Sequence, residues 1–582
     1  MDNSATPASQ ITRRRKPKWK NSTGETLDKV LHSVRMRMYR QGLGDCFLLT
    51  FTNADQKQYN LLIDCGVLPF SHAGDQRLDL IAQNILTETG RHLDTVVATH
   101  EHADHISGFK SAAEFFGLNP EKKPAQPVQV DHVWLAWTEN KDDEQVKKIT
   151  ARMNSLALAV TATVQAMDTT QGQSIRDILL FGGAAFDSDS GPGGTQATPG
   201  EQNVSENAVA SKPQQAETSQ DTNRNPESLG LTKFKLNQSM AQIMDWLRGW
   251  GPVDFLEPDN VRELPEFGIK FYILGPSRRM SMLGGSGPLG QTPGPGMASH
   301  ELKLNQSNAF MAAAVRFAGM ELDEAPGDGL SKSDVDTLYR LSLPFDPTRF
   351  LTIEEAQKPY PLPENPKYPD KLQAAYRDFF KEVYGFGDKI TGYGPEWRRI
   401  DTEWLQTGET LALQQVSTVN NTSLVLAIEI VQSGQVLLFV GDAEQESWQT
   451  WENKNANLDT LLANTVLYKV GHHGSINGTD QELFKNKLTN PDLVALLPVD
   501  MKRATDKNWE FPAASLYNTD SSITDDTKKG LLFTQTHGHI ILNCDQECMN
   551  CDPSFDENKP WPGKISKDGT PEKLWVEYTL TF

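Results

Sequence analysis

Three histidines and an aspartate fall within six residues of this chain, in Thr99-His100-Glu101-His102-Ala103-Asp104-His105. Imidazole nitrogens and carboxylate oxygens are donors that zinc and its divalent neighbours accept, and several must converge to hold such an ion. The apolar run Val96-Val97-Ala98 comes just before and reads as the end of a buried strand. His100 and His102 lie two residues apart as the chain leaves that strand, so both rings can face one side. Asp104 and His105 follow and can turn towards a neighbouring centre. Glu101, between the ligand histidines, need not face the metal. This donor set suits metal-assisted hydrolysis, in which a held ion acidifies water and offsets negative charge on the reacting group. Zinc is the expected ion, one or two per chain, with manganese as the alternative.

Two distant stretches carry the same donor types. Leu437-Leu438-Phe439-Val440-Gly441-Asp442 reads as a strand that delivers Asp442 at its end, where its two oxygens could each meet an ion. Tyr468-Lys469-Val470-Gly471-His472-His473-Gly474-Ser475 leads an apolar strand into paired histidines. Adjacent side chains of an extended segment face opposite ways, so both need not bind. His472 is expected to ligate and His473 to orient it or assist a leaving group, although spacing alone does not decide between them. Asp104 would bind or orient the attacking water. Asp45, after Gln41-Gly42-Leu43-Gly44, and Asp64, after Leu61-Leu62-Ile63, are supporting acids: at a strand end they can hold backbone amides or orient a ligand histidine. A serine triad has only the adjacency of His473 and Ser475 in its favour.

In order, Gly42-Leu43-Gly44-Asp45, Leu61-Leu62-Ile63-Asp64-Cys65-Gly66, the His100–His105 motif, the Asp442 strand and the His472-His473 turn resemble the metallo-β-lactamase superfamily. They look most like the hydrolase domain attached to bacterial competence channel proteins. The resemblance implies an α/β fold, the αββα sandwich of that superfamily with large insertions, and one metal ligand within the His472-His473 motif. It also implies a phosphodiester substrate, on nucleic acid or a nucleotide, with a carboxylic-ester or phosphorylcholine-type hydrolase as the alternative. A non-catalytic metal-stabilised scaffold or binding protein is the reading from another class. A fuller two-metal member would carry a histidine between the first motif and Asp442. His132 and His300 are the only candidates; His132 sits in an apolar strand and reads as a core histidine, while His300 borders a Gly-rich loop. The gap resembles the competence-type branch, where the ligand set is reduced or altered. Only 30 positions separate Asp442 from His472, too few for the nucleic-acid-clamping domain of some RNA-processing relatives.

The elements that must position these residues are legible as patterns. Val34–Tyr39, Cys46–Phe51 and Tyr59–Ile63 read as strands, Leu78–Leu86 as a helix and Asp131–Trp137 as a strand. A helix over 239–247 follows, with Met240, Ile243, Met244 and Leu247 on one face, then strands at Val253–Leu256 and Ile269–Leu274. Leu372–Val383 carries another helical stripe. Thr418–Ile430, Gln435–Val440, Val494–Leu497, Leu531–Thr534 and Gly538–Asn543 read as strands, the last two as a pair. Residues 30–183, 230–275 and 415–582 are therefore expected to form the core. A polar, Gly/Ser/Gln-rich insertion of 184–229 interrupts it. An inserted cap or subdomain over 276–414 shapes access to the site or serves oligomerisation.

Composition narrows the partners. The 582 residues carry a formal charge of -20, which argues against a protein tracking long nucleic acid through a broad basic groove. Residues 1–29 read as a disordered tail with a basic island at 13–20, whose alternatives are contact with nucleic acid, anionic lipid or the chain's own acidic surface. No apolar run reaches membrane-span length and no secretory signal is visible, so no membrane partner and a cytoplasmic location are expected. Five cysteines do not make a disulfide scaffold. Cys46 and Cys65 read as core thiols. Cys544, Cys548 and Cys551, with His539 or His537, have spacing that a small structural zinc could use, although ordinary reduced thiols are the simpler reading.

Overall fold

The computed structural model describes residues 30–68, 74–118, 128–150, 238–279, 367–384, 407–506, 511–518, 522–543, 564–567 and 574–582, with a few isolated positions besides. Residues 184–229, expected as an insertion, most of 276–414, expected as a cap, His300 and Cys544, Cys548 and Cys551 lie outside the described residues. A separate two-stranded ribbon pairs Trp19–Lys20 with Thr26–Leu27.

Strands β1 (Leu31–Tyr39), β2 (Cys46–Asn53) and β3 (Gln58–Cys65) form an antiparallel meander. Helix α1 (Gly74–Glu88) returns across the sheet, so β4 (His92–Ala98) joins β3 in parallel. Helix α2 (Ala103–Ser111) opens inside the His100–His105 motif, and β5 (Gln129–Ala136) pairs in parallel with β4. After α3 (Gln238–Arg248), β6 (Val253–Leu256) closes that edge. The chain then crosses into a second sheet with β7 (Val261–Leu264) and β8 (Ile269–Gly275). Helices α4 (Pro369–Tyr384) and α5 (Thr407–Asn420) precede β9 (Val425–Ile430) and β10 (Gln435–Phe439). Strands β11 (Thr465–Lys469), β12 (Val494–Leu497) and β13 (Ile540–Leu542) extend it in parallel. Finally β14 (Lys564–Lys567) and β15 (Trp575–Thr581) return to the first sheet beside β1.

The result is two mixed sheets, each covered on its outer face by helices, an αβ/βα sandwich. Alternation along β1 shows how the sequence directs this. Leu31, Val34, Met36 and Met38 enter the layer between the sheets. Arg37 faces the other way and is covered, bonded to Glu577 at 2.7 Å and stacked over Trp575. Aromatic pairs join the sheets: Phe47 meets Phe439 edge-on at 5.5 Å, and Phe271 meets Trp134 at 5.0 Å and Phe51 at 6.4 Å. Helices α1, α2 and α3 pack Ile81, Ile85, Ile106, Phe109, Ile243 and Leu247 onto the first sheet. Trp250 lies against Phe109 and Phe116.

Two expectations change. Thr418–Ile430 is not one strand, because α5 runs on to Asn420. Ala412, Val416 and Val419 are buried at helical spacing, and this packing overrides the strand preference of a β-branched stretch. Leu531–Gln535 is a single helical turn between Gly530 and Gly538, so it does not pair with β13. A short apolar run carries no period of its own to decide the matter.

Among the described residues, no helix is long and apolar enough to cross a membrane. The inter-sheet layer should dominate stability. Phe271→Ala is expected to lower the unfolding free energy by about 3–5 kcal/mol in denaturant titrations, since it empties a fully buried aromatic site.

Candidate metal centre

The parallel strands of both sheets end on one side, and the carboxyl end of such strands is where an α/β sheet leaves room for a ligand. β3 carries Asp64 as its penultimate residue, β4 leads to Thr99 and His100, and Asp104 and His105 occupy the first turn of α2 behind the N-cap His102. From the second sheet, β10 leads to Asp442 and β11 ends in Lys469 before the His472-His473 turn. Close backbone approach at Gly44 and Gly66 makes this meeting possible. A Cβ on Gly66 would lie 2.3 Å from the Asp104 carbonyl carbon and the His105 nitrogen, and one on Gly44 would lie 2.5 Å from the Asp104 oxygen.

Asp104, His105, Asp442 and His473 bring one donor atom each within 4.8 Å of one another, all buried. His473 Nε2 lies 2.8 Å from Asp104 Oδ2 and 3.5 Å from Asp442 Oδ2. His105 Nε2 lies 3.1 Å from Asp442 Oδ2 and 3.9 Å from Asp104 Oδ2. Two donors on one tetrahedral ion, about 2.0–2.2 Å from it, stand roughly 3.3–3.6 Å apart, and these four separations straddle that value. The far nitrogens are already fixed: His105 Nδ1 bonds Asp64 Oδ2 at 2.8 Å, and His473 Nδ1 bonds the Pro498 carbonyl at 2.9 Å. Each ring donates its Nδ1 proton and turns Nε2 inward, the tautomer a ligand needs. Asp64 is held in turn by the Thr99 amide and hydroxyl, both at 2.7 Å.

Charge points the same way. Asp45, Asp64, Asp104 and Asp442 are all at most 1% exposed, and the ammonium that meets them, on Lys469, contacts Asp45 at 2.6 Å and Asp442 at 3.0 Å. Buried carboxylates in such excess need further positive charge. Burial alone would lower His105, but Asp442, Asp45, Asp104 and Asp64 outweigh it and lift its imidazolium well above the ordinary range. Burial also opposes His473, which Asp442 and Asp104 raise. Burial would raise Asp442, yet His105, Lys469 and His473 hold it well below the usual carboxylate range. Among the described residues, Oδ1 of Asp104, Oδ2 of Asp442 and Nε2 of His105 are buried without a hydrogen-bond partner. A divalent cation fits this donor set.

His100 and His102 stand beside the cluster rather than within it. His100 Nε2 faces His102 Nδ1 at 3.1 Å, and His100 Nδ1 lies 3.2 Å from Ser423 Oγ. Burial pushes His102 down to about 4, and its Nε2 has no hydrogen-bond partner. His473, not His472, belongs to the four-residue group. His472 is half-buried, its Nδ1 3.2 Å from Asn477 and its Nε2 3.4 Å from Asn420. The strand-like alternation assumed for the pair does not apply, because both residues are left-handed, at φ 47° and 51°. Asp45 meets Lys469 at 2.6 Å and stands 3.7 Å from His105 Nδ1, in a second buried group with Asp64 and His105. His132 joins no group of metal-ligating side chains among the described residues and is not a core histidine: its side chain is half exposed, 3.4 Å from Asp254. It lies early in β5, whose apolar run begins one residue later. Cys46 and Cys65 are buried thiols opposite one another across β2 and β3. His539 is buried beside β13, while the cysteines expected to join it are outside the described residues.

Several contributors were not singled out from sequence. Lys469 hides as the last residue of an apolar strand; a lysine in a five-residue fully buried strand was the available signal. Ser423 Oγ accepts the Asp442 amide at 3.0 Å. Glu444 is buried, pushed up to about 8 by burial, and takes hydrogen bonds from Ser417 and, at 3.1 Å, from Asn420. Asn420 and Asn421, at the end of α5, thus brace Glu444 in the segment that follows Asp442.

Because the surrounding carboxylates raise both His105 and His473, protons compete with an entering ion at both rings. Zinc uptake should therefore release protons and tighten as pH rises through and above the ordinary histidine range. Titration calorimetry in buffers of different ionisation enthalpy would show this, and uptake without proton release would contradict it.

No family model and no solved structure matches the chain. One stretch is 37% identical over 95 residues to "Anti-Pycsar protein Apyc1" of Bacillus phage BSP38, covering 14% of this chain. The chain spans about 30% of the length of that curated relative.

Proposed function

We propose that this chain is a metallo-β-lactamase-type, metal-dependent hydrolase of phosphodiesters, acting on a nucleotide or a short nucleic acid. The observation that carries the reading is the convergence of Asp104, His105, Asp442 and His473 at the strand ends of two facing sheets. The order of the motifs, which resembles the competence-type hydrolases, supports the superfamily and the phosphodiester class. The charge of -20 favours a small substrate over a long polymer. Residues 30–183, 230–275 and 415–582 would make the hydrolase fold, with 276–414 shaping its entrance. Two buried free thiols, Cys46 and Cys65, suit a reducing compartment such as the cytoplasm.

Bound in this group, zinc or manganese would supply Lewis acidity, acidifying water and offsetting charge on the reacting phosphoryl group. Asp104, His105, Asp442 and His473 would hold the ion, and Asp64 and the Pro498 carbonyl fix the two rings. With Nδ1 on the Pro498 carbonyl and Nε2 given to the ion, His473 would be a poor candidate to protonate a leaving group. His102 Nε2, buried and without a hydrogen-bond partner, is the imidazole nitrogen better placed to hold or move a proton.

A generic aryl phosphodiester and an aryl carboxylic ester, each with zinc or manganese added, test the reading. Phosphodiester hydrolysis is expected, with loss of roughly 10–100-fold in activity or metal affinity in Asp64→Asn, which loosens His105, and a larger loss in Asp104→Asn. Turnover of the ester alone would transfer the assignment to the esterase reading. A metal-loaded chain that cleaves neither would be a scaffold.

A further inference from the structure

A carboxylate that bridges two ions through both oxygens needs both of them free. Asp442 has one. Its Oδ1 accepts from Lys469 Nζ at 3.0 Å and from the His472 amide at 3.2 Å, while Oδ2 alone faces His105 and His473. An ammonium has three donors, and Lys469 places them on Asp442 Oδ1, on Asp45 Oδ2 at 2.6 Å and on the Gly441 carbonyl at 2.7 Å. At 1% exposure it is locked by these contacts and cannot swing clear without leaving two buried acids uncompensated.

The histidines that a second ion would use are poorly provided. Among the described residues, neither His100 nor His102 joins any group of three metal-ligating side chains. Their facing nitrogens, at 3.1 Å, are within reach of an N–H···N bond that satisfies both without an ion. The hydroxyls of Thr99 and Ser423 lie 3.1 and 3.2 Å from the other nitrogen of His100.

We propose that the chain holds a single divalent cation, in the Asp104–His105–Asp442–His473 group, and that Lys469 is the positioning residue that sets this number. Its ammonium supplies at Asp442 Oδ1 the positive charge that a second ion would bring, and it presents Oδ2 to the first. The inference rests on the metal-dependent hydrolase reading and narrows it to a one-ion site.

Metal content tests it without reference to turnover. The full chain is loaded with excess zinc and desalted, then measured by plasma mass spectrometry and native mass spectrometry. His92→Ala and Cys548→Ser controls account for the half-exposed group His92, Asp94 and Asp131 and for any zinc on Cys544, Cys548 and Cys551, and equivalents are counted beyond what these remove. The wild type should retain one equivalent, His102→Ala should keep it and His473→Ala should lose it. Lys469→Gln should raise the content to two equivalents, and Lys469→Arg, which keeps the cation, should return it to one. Where circular dichroism shows Lys469→Gln misfolded, the double variant Asp45→Asn, Lys469→Gln removes one charge of each sign and should likewise hold two. Two equivalents on the wild type, loss of the ion from His102→Ala, or a single equivalent in the folded Lys469→Gln chain would overturn the proposal. A chain that takes up no zinc would contradict the hydrolase reading itself, whereas two equivalents together with phosphodiester hydrolysis would contradict only the one-ion site.

Discussion

Four carboxylates buried where two sheets meet are the constraint around which the rest of this structure is arranged. Asp45, Asp64, Asp104 and Asp442 come from separate elements and are all withdrawn from water. Such a concentration of negative charge would drive the strand ends apart unless something positive were placed among them. Lys469 answers for two of the acids, and the inward nitrogens of His105 and His473 address the others. The remaining deficit is one that a divalent cation held among these side chains would offset.

The scaffold keeps those charges from relaxing. Aromatic contacts through the inter-sheet layer, such as Phe271 on Trp134, fix the spacing of the sheets and therefore of their ends. Gly44 and Gly66 let the end of β3 and the start of α2 touch backbone to backbone, so Asp104 and His105 are aimed by the main chain as well as by their own bonds. Outer hydrogen bonds complete the aim: Thr99 to Asp64, Asp64 to His105, Pro498 to His473, and Ser423 to the Asp442 amide. Residues that never touch the ion determine where the ligands point.

Much of this could be read from the sequence because local patterns carried it. His100 to His105 follows an apolar strand, Asp64 and Asp442 end apolar strands, and the helices over α1 and α3 show their stripes directly. What escaped depended on tertiary context. The choice between His472 and His473 turned on two left-handed residues, which extended-chain alternation cannot foresee. Lys469 was passed over because its partner Asp45 lies more than 400 residues away in the chain. The helix ending at Asn420 is β-branched, and only its packing makes it helical. His132 failed in the other direction, since an apolar strand begins one residue too late to bury it.

The central claim is that a divalent cation sits among Asp104, His105, Asp442 and His473. Crystals of the zinc-loaded chain, measured on both sides of the zinc absorption edge, would address it most directly. The account predicts one anomalous peak within about 2.0–2.2 Å of Asp104 Oδ2, His105 Nε2, Asp442 Oδ2 and His473 Nε2. A loaded crystal with no peak there, or with its peak between His100 and His102 alone, would contradict it.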